Sequence, residues 1–158
     1  MLAARSLLLF VLVCLLPGWG RAGGQRAPEL AVRFLVGAES NDGTTFATTI
    51  TWQERPVVVS RVAVVTEREI VSFFPYRAAD GSFAASFQLN DNGRLALHTV
   101  SASKRGGRLY ALIGGRVVTP LAIDRIISDG IISIPLGLTE ADIRALGKNF
   151  RIMPEAHR

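Results

Sequence analysis

From residue 30 onward the chain is cut into short runs in which β-branched, aliphatic and aromatic residues dominate or alternate with polar ones, and Gly, Pro, Asn or Asp closes each run. A period of two places alternate side chains on opposite faces of an extended backbone, so such runs predict strands with one buried face. In residues 30–36, Ala31, Arg33 and Leu35 alternate with Val32, Phe34 and Val36. Ser40-Asn41-Asp42-Gly43 is turn chemistry. Residues 46–52 alternate with threonines, and residues 57–65, after the punctuation of Pro56, are β-branched almost throughout. Residues 70–76 and 82–89 follow as further strands, the second with Phe83, Ala85 and Phe87 on one face. Phe73-Phe74-Pro75-Tyr76 reads as core strand and then a bend, because large aromatics dominate interiors.

Local end signals divide these runs. Thr66-Glu67-Arg68-Glu69 has capping-box spacing and predicts a helical turn. Asn90 is an N-cap followed by Asp91 at the positive end of a helix dipole; that helix runs to about Lys104 and stops at Gly106-Gly107. Gly114-Gly115 between residues 108–113 and 116–119 predicts a two-residue hairpin. Ser128-Asp129-Gly130 between residues 122–127 and 131–134 predicts a second. Thr139 with Asp142 opens a last helix to about Asn149, turning Ile143 and Leu146 to the core. The expectation is an α+β domain over residues 29–150, with six or seven short strands in one mixed or antiparallel sheet and two helices on one face. Residues 151–158 read as a tail.

The N-terminus has a different character. Arg5 precedes an apolar run over residues 6–16, Pro17 and Gly18 break it, and Gly20-Arg21-Ala22 offers small residues where a signal peptidase reads. The run is about half of the roughly 20 residues a membrane-crossing helix needs. Residues 1–22 therefore read as a cleaved export signal and 23–28 as a flexible leader. The one cysteine, Cys14, lies in the signal, so the exported chain has no disulfide to make, which fits a bacterial periplasm. Removing Arg5 and Arg21 leaves 16 basic residues against 13 acidic ones, a net charge of +3. The cations are scattered, which argues against nucleic-acid binding, and membrane contact is expected only through the signal segment if it is left uncleaved.

Catalytic and metal constellations are sparse. A nucleophile triad needs a base beside Ser or Cys, and the two histidines are His98, mid-helix, and His157, in the tail. Zinc needs several matched Cys or His ligands. Asn90-Asp91-Asn92-Gly93 lacks the spacing and distal glutamate of a calcium loop. Gly114-Gly115 is followed by a strand, not by the helix of a phosphate loop. Asp124 and Asp129 alone offer an acid–base pair, and Ile123-Asp124-Arg125-Ile126 reads as the wet face of a strand. The chain is expected to be no enzyme and to carry no cofactor or metal.

Taken in order, these segments resemble the head subdomain of the first large periplasmic domain of SecD, the accessory subunit of the Sec protein-export machinery. Val65-Thr66-Glu67-Arg68-Glu69-Ile70 is similar to the family's opening Val-Thr step ahead of an Asp-Ile. Phe87-Gln88-Leu89-Asn90 with Gly93 resembles its Phe-x-Leu-Asn strand-to-helix step, and Thr99 falls near its helix threonine. The strand from Gly107 to Ile113, then Gly114, Gly115, Arg116, Val117 and Val118 closed by Pro120, is similar to its Asp-Gly-x-Val-Val hairpin. Ile126, Asp129, Gly130, Ile132 and Ile134, then Leu138-Thr139-Glu140-Ala141 with Ala145 and Leu146, resemble its ending. Pro120 comes one residue early and Pro135 stands where a glycine is usual. The resemblance covers residues 65–146 and implies a stand-alone head module, non-enzymatic, periplasmic and polypeptide-binding. Its partners would be unfolded exported polypeptide or an envelope protein complex.

Two surfaces are expected to carry binding. One is an unpaired strand edge at Val57, Val59 and Arg61, to which extended polypeptide adds by main-chain hydrogen bonds. The other is a basic patch of Lys104, Arg105, Arg108, Arg116 and Arg125 for an anionic surface of the envelope with no role in export. Gly114, Gly115, Pro120, Asp129 and Gly130 are read as turns of the fold.

Overall fold

The alternating runs bury one face each, and the chain satisfies them by facing two sheets onto one core. The computed structural model describes residues 30–38 and 43–153. The expected signal (1–22), the leader (23–28), the turn residues Ser40, Asn41 and Asp42, and His157 lie outside the described residues. The elements in order are β1 (Val32–Val36), a helical turn α1 (Gly43–Phe46), β2 (Ala47–Trp52), β3 (Arg55–Ser60), β4 (Val65–Thr66), a 3-10 turn (Glu67–Glu69), β5 (Ile70–Arg77) and β6 (Phe83–Leu89). Then come α2 (Asp91–Ser103), β7 (Arg108–Ile113), β8 (Arg116–Ala122), β9 (Ile131–Leu138), α3 (Glu140–Asn149) and β10 (Arg151–Ile152).

The first sheet has the order β4-β1-β7-β8, the second β10-β5-β6-β9, and β2-β3 form a hairpin. All ladders are antiparallel except that of β10 with β5. Val32, Phe34, Leu109, Ala111 and Val118 of the first sheet meet Phe73, Ala85, Phe87, Ile132 and Ile134 of the second in one buried cluster, which Leu97 of α2 and Leu146 of α3 complete. Phe87 lies at its centre, edge-on to Phe34 at 6.0 Å and stacked with Phe73 at 6.2 Å. The hairpin packs on the opposite face of the first sheet, where Leu35 and Tyr110 meet Val59, with Ile50, Val57, Leu112 and Val117 around them.

The α+β class and the single small domain stand, and the local signals are realised. Thr66 and Glu69 close a capping box, as do Thr139 and Asp142, and Asn90 Oδ1 accepts from the Gly93 amide at 2.9 Å. Gly114 and Gly115 both take the positive φ that a two-residue hairpin needs. The sheet arrangement differs from expectation: the described residues form ten strands in three sheets, with the helices closing a core between two of them. The expected strand over 57–65 is two strands, because Val64 N–H donates to Phe34 O and draws the chain from the hairpin to β1. Residues 122–127 do not form a second hairpin with 131–134. Ile123 instead extends the β7–β8 ladder through Gly106 and Gly107, Ile127 N–H reaches Ser101 Oγ at 2.9 Å, and β9 pairs with β6. Past residue 150, β10 joins the second sheet beside Ser72 and Phe73.

Two contacts fix elements that the sheets alone would not. A Cβ on Gly93 would lie 2.8 Å from Glu69 Cβ and 3.1 Å from Leu89 Cβ, so α2 sits against the 3-10 turn only because that position is glycine. Asp80 Oδ1 accepts from Ser82 Oγ at 2.6 Å and from Ser82 N–H at 2.9 Å, and Ser82 Oγ accepts from Gly137 N–H at 2.9 Å, tying the β5–β6 turn to β9. The hydroxyl bond first, and the amide bond second, hold the Asp80 carboxyl below its ordinary value.

Two outcomes follow. Gly93→Ala is expected to lower stability by about 1–2 kcal/mol in urea unfolding, against the gain of about 1 kcal/mol that alanine gives in an open helix. Because the folded pKa of Asp80 lies below the unfolded one, its contribution is present above the unfolded pKa and is lost as pH falls through the folded one. The stability gap between wild type and Asp80→Asn is therefore expected to close as pH drops below 3.8.

Candidate functional site

Strand pairing leaves one backbone edge of each outer strand without a ladder partner, and an unpaired edge is a ready template for another extended chain. The phase of the hydrogen bonds decides which residues face out. In β3 the Val58 carbonyl accepts from Ala38 N–H at 3.0 Å, so Val58, Pro56 and Ser60 present their main-chain groups away from β2, whereas Val57 and Val59 turn theirs toward it. Val59 is fully buried and bridges Gly37, and Arg61 lies beyond the strand in a bend. The edge expected at Val57, Val59 and Arg61 is thus partly occupied. Its remaining outward groups include the Pro56 carbonyl and the Val58 amide.

The other long edges carry the same device. Ile123 bonds inward to Gly106 and Gly107, which puts Pro120 of β8 at an outward position. Leu89 N–H donates to Gly130 O, which sets Pro135 of β9 outward in the same way. Pro75 lies beyond the short β10 on the outer edge of β5. A proline at such a position removes the donor that an incoming strand would use and leaves the existing ladder intact. Pro120 and Pro135 also line a groove of about 280 Å³ between β8 and β9, with Leu109, Leu121, Ile127 and Ile132.

The basic residues divide into two groups. Arg108 pairs with Ala122 at the open end of the β7–β8 hairpin and Arg116 with Ile113 at its turn, roughly 17 Å away at about 3.3 Å per residue. Lys104 and Arg105 follow α2 and lead into Arg108. Arg125 lies just past Ile123, which is bonded to Gly106 and Gly107, so these four share one end of the molecule. Cations there also complement the negative end of the α2 dipole. Arg116 Nη2 instead bonds Asp142 Oδ2 at 2.6 Å, joining β8 to the cap of α3. Lys104 and Arg108 line a groove of about 560 Å³ with Pro56, Val57 and Val58, so the two surfaces expected separately adjoin one another.

The two aspartates Asp124 and Asp129 have different surroundings. Asp129 Oδ1 accepts from Ile131 N–H at 3.0 Å and serves its own turn, while Asp124 borders the groove between β8 and β9. Among the described residues no group of three His, Cys, Asp or Glu is placed to hold a metal ion, and no helix is long and apolar enough to cross a membrane. The outward proline pattern was present in the sequence, but only the ladder phase reveals it.

No protein-family model matches the chain, and no curated protein sequence does. Two solved structures share the fold. One is a crystal structure of SecDF in its super-membrane-facing form, with a TM-score of 0.56 and 14% identity over 78% of this chain. The other is a structure of SecDF, a membrane component that enhances protein export, with a TM-score of 0.55 and 17% identity over 86% of this chain. This chain spans 19% of the first and 72% of the second. The class is therefore an α+β module of two facing sheets. Its particular fold is SecD-like.

The division of the cations is testable. Arg116→Gln is expected to lower stability by about 0.5–1 kcal/mol in urea, half-exposed as that arginine is, and to leave retention on a dextran sulfate column unchanged. Combined Gln substitution of Arg105, Arg108 and Arg125 is expected to do the reverse, weakening retention with little effect on stability.

Proposed function

We propose that the protein is a non-enzymatic extracytoplasmic module that holds polypeptide in extended form in the service of protein export, most consistently in a bacterial periplasm. The observation that carries this reading is the SecD-like fold, shared with a membrane component that enhances protein export. The export signal read in residues 1–22 agrees with it, as do open strand edges beside apolar surface. Val58, half exposed, and Val62, 70% exposed, stand on or next to the hairpin. Main-chain pairing suits the task because it recognises extended backbone whatever the sequence. Partners are unfolded exported chains or an envelope complex that delivers them, and neither a cofactor nor a nucleic acid enters this reading.

A second reading, binding to an anionic envelope surface with no part in export, is favoured by the convergence of Lys104, Arg105, Arg108 and Arg125. Salt separates the two. Fluorescence anisotropy with a labelled, permanently unfolded polypeptide is expected to report binding that changes less than about twofold between low and physiological salt, with folded protein failing to compete. Affinity for anionic vesicles that collapses over the same interval, with no binding of unfolded chain, would establish the second reading in its place.

A further inference from the structure

We infer that the outer edge of β2 is where extended polypeptide adds, an inference that rests on the polypeptide-holding role proposed above and names its docking strand. The four prolines among the described residues, Pro56, Pro75, Pro120 and Pro135, stand at outward-facing positions of β3, β5, β8 and β9. The outer strands β4 and β10 have two residues each. β2 has six residues, Ala-Thr-Thr-Ile-Thr-Trp, pairs only with β3, and contains neither proline nor charge. Among the described residues it is the long edge that carries neither a proline nor a second ladder.

The phase of β2 follows from its partner. Arg61 N–H donates to Phe46 O at 2.7 Å and Val58 faces away from β2, so Ala47, Thr49 and Thr51 point their main-chain groups outward. Arg61 Nη2 donates to the Ala47 carbonyl at 3.3 Å. Among the described residues no hydrogen bond reaches the outward amides and carbonyls of Thr49 and Thr51. Two donors and two acceptors in strand register define the ligand chemistry, which is another extended backbone.

Side chains narrow the occupant. Thr48, Ile50 and Trp52 turn toward the first sheet and are half-buried, whereas Thr49 and Thr51 are exposed. On that exposed face Val58 is the cross-strand partner of Thr49, and Phe46, 68% exposed, immediately precedes the strand. A strand laid along β2 finds hydroxyls and apolar contacts there, with the Arg61 guanidinium only at the Ala47 end, which suits apolar, β-branched segments of an unfolded chain. A second copy is the poorer occupant, because pairing two six-residue strands is small against the about 1,200 Å² that stable interfaces bury.

Amide hydrogen exchange of the purified protein tests this with a fluorescein-labelled peptide of alternating valine and threonine flanked by lysines. The Thr49 and Thr51 amides are expected to exchange freely alone and to become protected when the peptide binds. Thr49→Pro and Thr51→Pro, which remove outward donors only, are expected to weaken binding about tenfold, while Ala122→Pro, which removes an outward donor of β8, leaves it unchanged. Peptide binding that leaves both threonine amides unprotected and survives both β2 prolines would overturn the β2 assignment while the wider reading stands. Wild-type protein that binds no peptide overturns both. Protection that grows with protein concentration in the absence of peptide assigns the edge to a second copy and overturns the inference. Should a proline variant fail to fold, the wild-type exchange data decide alone.

Discussion

Phe87 is the residue on which the arrangement turns. Its ring meets Phe34 from the facing sheet edge-on and stacks on Phe73 from the neighbouring strand, so one side chain joins the sheets and aligns a ladder. Aromatic pairs of this kind add about 0.5–1.5 kcal/mol beyond the area they bury. With Cys14 the one cysteine of the chain, no internal disulfide can form and the domain owes its stability to this core. The face-to-face packing also dictates connectivity: β4 and β5, α2 with its flanking strands, and the 123–130 segment are each places where the chain passes from one sheet to the other.

Facing two open sheets creates strand edges, and their treatment links fold to function. Prolines at outward positions blunt β3, β5, β8 and β9 without disturbing internal ladders, and the remaining outer strands β4 and β10 are too short to template much. Among the described residues the hairpin layer alone presents a long strand edge without a proline. An edge treatment of this kind, one permissive strand among several blunted ones, is what the proposed holding of extended backbone requires of a module that is not to join its neighbours edge to edge.

What the sequence revealed was local. Capping boxes at Thr66 and Thr139, the Asn90 cap and the Gly114-Gly115 turn were readable because each signal lies within four residues of the group it satisfies. The turn joining β2 to β3 was not, because Gln53 and Glu54 occupy positive φ where glycine or asparagine is the usual signal. Residues 57–65 look like one strand because valines suit two different partners equally well. The move of β9 to β6 depends on Ile123 and Ile127 finding backbone and hydroxyl partners far away in sequence. The same limit applied to the site. Val57, Val59 and the arginines were visible as residue types, whereas ladder phase, which decides the faces of Val58 and Thr49, and the Arg116–Asp142 bond are properties of the assembled chain.

The hairpin layer has one more consequence. Its ladder is wholly internal, and it is held to the rest by the Gly37–Val59 bridge, the bond from Ala38 N–H to Val58 O and a small cluster around Leu35 and Tyr110. Lifting it away exposes that cluster but breaks neither four-stranded sheet, so it is the natural unit of sub-global opening, with a free-energy cost below that of unfolding the sandwich. Because β2 and β3 pair with each other across only two residues, it also re-forms as a hairpin does, on the microsecond scale. The hairpin layer is thus the part expected to open before the body does, and a strand paired to β2 would take its rigidity from the sheet beneath.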